Sequence, residues 1–290
     1  MKADGGVSLE VIEKQVEFLL RNDVMGAFVC GVTGECMSLT TPERLDITRR
    51  WVEVAPEGFK VIVHVGHTSL EVSKVLAAHA QEAGAWGIGA MAPPFFRPAS
   101  LKDLVASCRV VVSSAPELPF YYYHIPSMTG MNFTMVDFLR AAGNEIPNLV
   151  GIKYTGEDLM DYGLCRQLEG GRFDMLFGRD ELLICALALG ARGAVGSTYN
   201  FAAPLYSRLM EVFAAGDLET ARNLQLKSMD LIDLLKRSEG SFLACGKAVM
   251  TMLGVDCGPT RLPLENLTVA QAKNLHAQLE HIGFFEYCSR

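Results

Sequence analysis

The chain has 290 residues and a mass of 31.7 kDa, and half of its residues are apolar. Its net charge of −7 and isoelectric point near 5.4 argue against binding to nucleic acids or acidic membranes, which require basic surfaces. No apolar run reaches the roughly 18 residues of a membrane span, and no apolar segment typical of a signal peptide follows Met1. The eight cysteines are scattered and form no CxxC pair, which is typical of reduced thiols, so we expect a cytoplasmic protein with a sizeable core.

Seven short apolar segments have the composition of buried β-strands. Each contains valine, isoleucine, phenylalanine or tyrosine, and most end in glycine, proline or a polar residue. Their starts lie about 19 to 33 residues apart, which is the length of one strand and one helix. They cover residues 27–32, 60–66, 87–93, 120–126, 149–155, 174–180 and 193–199.

Segments with helical periodicity separate these strands. One begins at Thr41, where a hydroxyl cap is followed by Pro42 and by an acidic residue in the first turn. Regular alternation of strand and helix predicts a parallel sheet covered by helices. The other predicted helices cover residues 8–21, 69–83, 101–114, 135–143, 158–168, 204–215, 217–235, 241–253 and 268–282.

Two arrangements of such a sheet compete, a doubly wound open sheet and a barrel. The turn after the first strand, residues 31–35, matches neither glycine-rich nucleotide motif that an open sheet usually carries there. A barrel places its reactive groups where several strands end, and Tyr123, Lys153 and Asp180 all occupy such positions. We therefore predict a TIM-type (β/α)8 barrel.

The strand count is one short of this fold. The chain begins with a helix, so we expect the first barrel strand to lie ahead of Met1. Without it the neighbouring strands would lack partners, and each buried unpaired backbone group costs about 1–3 kcal/mol. We predict that residues 1–200 form the barrel lacking this strand. Residues 201–290 then supply the last barrel helix and a C-terminal helical region.

Lys153 and Tyr123 each lie near the end of a predicted strand. An amine and a phenol are the two groups that a carbon–carbon lyase needs if it works through a Schiff base. The alternative for Lys153 is an ordinary solvated ammonium group. The two-residue period of a strand places Tyr121 and Tyr123 on one face and turns His124 towards the helices.

Other strand ends carry groups that suit a small polar substrate. The turn of residues 31–35 offers backbone N–H groups and the hydroxyl of Thr33 to an anion. Asp180 and Glu181 fit the vicinal hydroxyls of a polyol, or else form a solvated rim. The spacing of His64 and His67 resembles a metal motif, but positions three apart on a strand face opposite sides, so we expect no metal.

Six motifs in these segments resemble the animal-type N-acetylneuraminate lyases of the pyruvate-dependent aldolase superfamily, which includes dihydrodipicolinate synthase. The resemblance spans nearly the whole chain. The motifs are GVTGE at 31–35, YYYHIP at 121–126, GIKYT at 151–155, FGRDE at 177–181, GAVGSTYN at 193–200 and GPTRLPL at 258–264.

The resemblance implies a class I aldolase that cleaves N-acetylneuraminate to N-acetylmannosamine and pyruvate. Lys153 would form the Schiff base without any cofactor, and Tyr123 would carry the proton. The family is tetrameric, which implies a homo-oligomer. The implied substrate-binding residues are Val32 and Thr33 at the carboxylate, Thr155 and Gly178 along the pocket, and Asp180, Glu181 and Ser197 at the polyol end.

Three departures from family patterns bear on the activity. Met128 stands where dihydrodipicolinate synthases usually have an arginine, and Phe95-Phe96 stand where they place a tyrosine, so that activity is disfavoured. Val32 replaces the first hydroxyl of the usual Gly-Ser/Thr-Thr-Gly-Glu turn. Two alternatives therefore stay open. One is a catalytically impaired homologue or short isoform that binds sialic acid or full-length subunits, and the other is a lyase for another 2-keto-3-deoxy acid.

Overall fold

Seven strands form one sheet in the computed structural model, which describes residues 1–290. All neighbouring strands are parallel. Each predicted strand is present, and each ends earlier than expected because its last residues lie in the following turn or helix. The strands are β1 Gly26–Val29, β2 Lys60–His64, β3 Gly87–Ala90, β4 Phe120–His124, β5 Leu149–Tyr154, β6 Asp174–Phe177 and β7 Gly193–Ala194.

The order of the strands in the sheet follows the order of the chain from β1 to β7. A doubly wound sheet reverses its order at a switch point, and this sheet does not. Consecutive parallel strands with a helix after each strand are the topology of a TIM-type barrel. The predicted fold class and the count of seven strands are therefore confirmed. The first regular element is a helix, as the sequence predicts.

Twelve α-helices accompany the sheet. Ten match the predicted helices within a few residues, and the short helices α5 and α8 were not predicted. The helices are α1 Glu10–Arg21, α2 Thr41–Val54, α3 Leu70–Glu82, α4 Leu101–Val112, α5 Pro126–Thr129, α6 Met135–Ala142, α7 Leu159–Gln167, α8 Leu183–Ala188, α9 Tyr199–Ala214, α10 Leu218–Arg237, α11 Phe242–Met252 and α12 Val269–His281.

Local capping fixes where α2 and α5 begin and end. At α2, the Thr40 hydroxyl accepts from the Glu43 N–H, and the Glu43 carboxylate accepts from the Thr40 N–H, which is a capping box. The single turn of α5 begins at Pro126 and stops at Gly130, whose φ of 66° only glycine adopts readily. No helix is both long enough and apolar enough to cross a bilayer.

The chain divides into two compact units. The sheet unit contains residues 26–179 and 185–195, and therefore holds all seven strands. The helical unit contains residues 1–25, 180–184 and 196–290. Within the helical unit, α9 and α10 pack together around fully buried side chains such as Leu209 and Leu231.

Candidate active site

Lys153 lies directly opposite Tyr123 on the neighbouring strand. The pairing of β4 with β5 shifts by one residue between Phe120 and Tyr121, and this irregularity brings Lys153 rather than Ile152 into register with Tyr123. Residues in register point to the same face of a sheet. The predicted amine and phenol are therefore brought together.

The Lys153 amine lies among aromatic rings. The residue is 7% exposed, and its Nζ lies 4.1 Å from the ring centre of Phe28 and 4.2 Å from that of Tyr123. The Phe28 and Tyr123 rings meet edge to face at 5.3 Å, and the His64 ring meets Tyr123 edge to face at 5.7 Å. We name Phe28, His64, Tyr123 and Lys153 the lysine cluster.

A glycine on β3 makes room for this cluster. A Cβ atom at Gly89 would lie 2.7 Å from Cε2 of Phe28, closer than carbon atoms can approach without movement. Phe28 therefore depends on the missing side chain of Gly89. Phe28 is not distinctive in the sequence, because a phenylalanine in an apolar strand indicates ordinary core packing.

His64 is fully buried and neutral. Its Nδ1 lies 3.0 Å from the carbonyl oxygen of Cys30, which can only accept, so Nδ1 carries the proton. Burial lowers the pKa of His64 well below 6.5, and the positive charges of Arg44 and Lys153 lower it further. His67 lies nearer the surface, where its Nδ1 accepts from the N–H of Ser69.

The turn after β1 is closed by its own backbone. The N–H of Glu35 donates to the carbonyl of Val32 at 3.0 Å, and the N–H of Cys36 donates to that of Gly31 at 3.2 Å. The half-buried side chain of Val32 packs against the cluster of Met91, Tyr123 and Ile125. Thr33 is exposed at the tip of the turn. Val32 thus presents a hydrocarbon beside the phenol.

A hydroxyl follows Lys153 just beyond the end of β5. Thr155 lies two residues after Lys153, and its Oγ1 is buried without a hydrogen-bond partner. Gly178, at the end of β6, donates its N–H to the carbonyl of Tyr154 at 2.8 Å. A Cβ atom at Gly178 would overlap the Thr155 hydroxyl. A buried hydroxyl without a partner can bind a polar ligand group.

The remaining predicted residues belong to the helical unit. Asp180 is buried, and its Oδ2 accepts from the N–H of Thr198 at 2.8 Å and from its hydroxyl at 2.6 Å. The Tyr206 hydroxyl lies 2.5 Å from Thr198 Oγ1 and 2.9 Å from Ser228 Oγ. We name Asp180, Thr198, Tyr206 and Ser228 the carboxylate network. A Cβ atom at Gly196 would overlap the Asp180 carboxylate.

Glu181 and Ser197 lie beside this network with partners of their own. Glu181 forms an ion pair with Lys236 at 3.1 Å. Ser197 is half-buried, and its carbonyl accepts from the side-chain amide of Asn200 at 2.8 Å. Asp180, Glu181 and Ser197 are among the residues predicted from the sequence, whereas Thr198, Tyr206 and Ser228 are not. Thr198 immediately precedes α9, and hydroxyl residues within helices, such as Tyr206 and Ser228, carry no distinctive pattern.

The sheet is singly wound and parallel, and it sets the buried Lys153 against Tyr123 on the neighbouring strand. These two features define the class of this protein, a TIM-type α/β fold with a lysine-centred site. The sequence profile described as the dihydrodipicolinate synthetase family matches residues 1–282. The chain belongs to this family.

Several relatives are similar over nearly the whole chain. The N-acetylneuraminate lyase of Rattus norvegicus is 38% identical over 99% of this chain and 91% of its own length. That of Xenopus tropicalis is 42% identical over 91% of this chain and 87% of its own length. The solved N-acetylneuraminate lyase of Proteus mirabilis matches with a TM-score of 0.94 and 38% identity, over 98% of this chain and 95% of that one.

Proposed function

We propose that this protein is a class I aldolase that cleaves N-acetylneuraminate to N-acetylmannosamine and pyruvate. The observation that carries the proposal is the buried Lys153 amine, 4.2 Å from the ring centre of Tyr123. Relatives named N-acetylneuraminate lyase at 38% and 42% identity support the choice of substrate.

Lys153 performs the covalent step. Its amine attacks the C2 ketone of the open-chain sugar acid, and loss of water leaves an iminium ion. This cation accepts the electron pair released when the C3–C4 bond breaks. The protein's own amine thus supplies the electron sink, so the reaction needs no cofactor.

Tyr123 moves the proton. Its phenolate form takes up the proton of the C4 hydroxyl while the C3–C4 bond breaks, which releases N-acetylmannosamine as an aldehyde. The phenol so formed then supplies the proton that the enamine takes up at C3. The enamine left on Lys153 gains a proton at C3, and water then releases pyruvate and restores the amine. Lys153 and Tyr123 lie side by side, which is the proximity that this transfer requires.

The other predicted residues bind the substrate. The turn of Val32 and Thr33 holds the carboxylate through backbone N–H groups and the Thr33 hydroxyl. The unpartnered hydroxyl of Thr155, beside Gly178, accepts or donates a hydrogen bond along the sugar chain. The residues at the polyol end are Asp180, Glu181 and Ser197.

The protein acts as a homo-oligomer in the cytoplasm. Phe95 and Phe96 are 76% and 81% exposed, and their rings meet edge to face at 5.0 Å. Adjacent exposed aromatic side chains are typical of interfaces rather than of free surface. Light scattering tests this assembly, and Phe95→Ser/Phe96→Ser is expected to lower the measured mass. The family resemblance favours a tetramer.

Borohydride trapping tests the proposed reaction. Incubation with pyruvate and borohydride is expected to reduce the iminium and to leave a stable adduct on Lys153, found by peptide mass spectrometry. Lys153→Ala is expected to lose both the adduct and the turnover of N-acetylneuraminate. Lys74→Ala is the control, because Lys74 is exposed and pairs only with Glu71.

The same experiment separates the alternatives. An adduct without turnover of any sugar acid would identify an impaired homologue. Turnover of a different 2-keto-3-deoxy acid in preference to N-acetylneuraminate would keep the chemistry and change the substrate. Absence of any adduct on the wild-type chain would refute the role of Lys153.

A further inference from the structure

Arg44 is a buried cation near the lysine cluster that the mechanism above does not use. It is the fourth residue of α2 and is 1% exposed. Its guanidinium donates to the carbonyl of Gly66 at 3.0 Å and to the carbonyl of His64 at the end of β2. It forms no ion pair with any carboxylate.

Arg44 is connected to the turn of residues 31–35. The carbonyl that it binds belongs to His64, whose imidazole donates to the carbonyl of Cys30. Cys30 immediately precedes the turn and has a φ of 55°, which a non-glycine residue adopts only when its surroundings hold it there. Two hydrogen bonds therefore join the guanidinium to the base of the turn.

The charge of Arg44 reaches both ends of the turn. Cys30 and Cys36 border it, and burial raises the pKa of each thiol while the charge of Arg44 opposes that rise. The charge of Lys153 also reaches Cys36. Arg44 and Lys153 thus converge on one region of the sheet unit.

A buried guanidinium without a carboxylate partner is costly. Transfer of an unpaired charge from water into the interior is unfavourable, and structures normally place an opposite charge beside it. A bound anion at the turn would supply that charge. The turn itself offers only weak neutral donors, because Val32 contributes no hydroxyl.

We infer that Arg44 is a positioning residue whose positive charge holds the carboxylate of a 2-oxo acid in the turn of residues 31–35. This inference rests on the proposed function, because it assigns the carboxylate of the Schiff-base substrate to that turn. Arg44 acts through its field and through His64 and Cys30, without touching the substrate. It makes the site select anionic 2-oxo acids over neutral ketones of the same shape.

Two ligands and two variants distinguish an effect of the positive charge of Arg44 from an effect of its shape. The ligands are pyruvate and its neutral methyl ester, and their affinities are measured by calorimetry. Arg44→Gln keeps an N–H donor for the carbonyls but loses the charge, whereas Arg44→Lys keeps the charge. Arg49→Gln is the matched control, since Arg49 lies on the same helix, is exposed and pairs with Asp46.

Arg44→Gln is expected to weaken pyruvate binding about tenfold or more, and to weaken binding of the ester less than about threefold. Any change in thermal stability is measured alongside, and the affinities are corrected for it. Arg44→Lys is expected to restore most of the pyruvate affinity. If Arg44→Gln does not fold, the test is made with Arg44→Lys. In that variant, a loss of pyruvate affinity equal to the loss of ester affinity overturns the inference.

Equal losses for both ligands in Arg44→Gln, or no loss for pyruvate, also overturn it, because Arg44 would then be purely structural. A wild-type chain that does not bind pyruvate overturns it as well. A wild-type chain that binds pyruvate but gives no adduct refutes the role of Lys153 alone, since the two affinities still decide the role of Arg44.

Discussion

The lysine cluster and the carboxylate network each bury one charged side chain, and they treat it in opposite ways. Lys153 lies against two aromatic ring faces, at 4.1 and 4.2 Å. Asp180 is fastened to Thr198 by two hydrogen bonds of 2.6 and 2.8 Å. Ring faces surround the amine with apolar surface, whereas strong hydrogen bonds commit the Asp180 carboxylate to the fold.

The difference distinguishes a side chain that reacts, Lys153, from one that stabilises the fold, Asp180. A nucleophile must exchange part of its surroundings for a substrate, and contacts with aromatic rings are given up more readily than strong hydrogen bonds. A carboxylate that holds the N–H and hydroxyl of Thr198 fixes the start of α9 instead. We therefore expect the two regions to respond differently to substitution, in activity at the lysine cluster and in stability at the carboxylate network.

Tyr123→Phe is expected to have the largest effect. Loss of the phenolic hydroxyl removes the proton carrier, and general acid–base catalysis of this kind is worth about 10³-fold in kcat. The Schiff base itself needs only Lys153, so the adduct with pyruvate is expected to persist. Turnover of N-acetylneuraminate and borohydride trapping, measured side by side, provide the test.

Tyr122→Phe is the matched control for that prediction. Tyr122 is equally buried, but it lies on the other face of β4 and packs against Phe138. Its hydroxyl plays no part in the proposed transfer, so kcat is expected to stay within about twofold of the wild-type value. A loss of trapping in Tyr123→Phe would instead show that the phenol is required for iminium formation.

The fold and the central pair could be predicted from the sequence because both depend on local patterns. Apolar runs and helical periodicity define the strands and helices. Strand ends place Lys153 and Tyr123 at one edge of the sheet. Their facing register could not be predicted, since it depends on the irregular pairing of β4 with β5 near Tyr121.

The site residues that were not predicted depend on contacts between segments that are distant in the sequence. Phe28 enters the lysine cluster because Gly89, on another strand, has no side chain. The network around Asp180 uses Tyr206 and Ser228 from two helices, and neither position is distinctive in the sequence. Lys153 and Tyr123, both predicted at strand ends, lie together in the fold, whereas the side chains that surround them come from other elements and were not predicted.

Asp180→Asn is expected to produce the next largest effect, on stability. An amide nitrogen in place of Oδ2 faces two donors on Thr198, and loss of two hydrogen bonds to a buried charge costs about 3 kcal/mol. Denaturant unfolding measures the change. Glu181→Gln is the control, because its ion pair with the exposed Lys236 is worth less than about 1 kcal/mol.

Asp180→Asn can also contradict the proposed difference between the lysine cluster and the carboxylate network. If Asp180→Asn leaves the free energy of unfolding unchanged and raises only KM, then Asp180 acts on the substrate alone, and the contrast between the two regions fails. A change in both quantities would assign Asp180 to support and to binding of the polyol.

Gly89→Ala is expected to cost about 2 kcal/mol of stability, because the new methyl group overlaps the ring of Phe28. It is also expected to lower the rate of trapping, since Phe28 contacts the Lys153 amine. A double-mutant cycle with Phe28→Leu tests the cause. If the two changes are additive in the free energy of unfolding, the ring is not the source of the cost.

Val32→Thr sharpens the comparison with the smallest expected effect. The new hydroxyl would lie beside Tyr123 and add one donor for the carboxylate, which is expected to raise kcat/KM about tenfold. Threonine has the shape of valine, so packing against Met91 and Ile125 changes little. Val32→Ala removes the apolar branches without adding a hydroxyl, and an equal gain in that variant would assign the effect to the loss of apolar surface beside Tyr123. A gain in Val32→Thr alone would mean that the apolar side chain of Val32 limits kcat/KM. The turn would then lack a polar contact of the kind that Asp180 makes with Thr198.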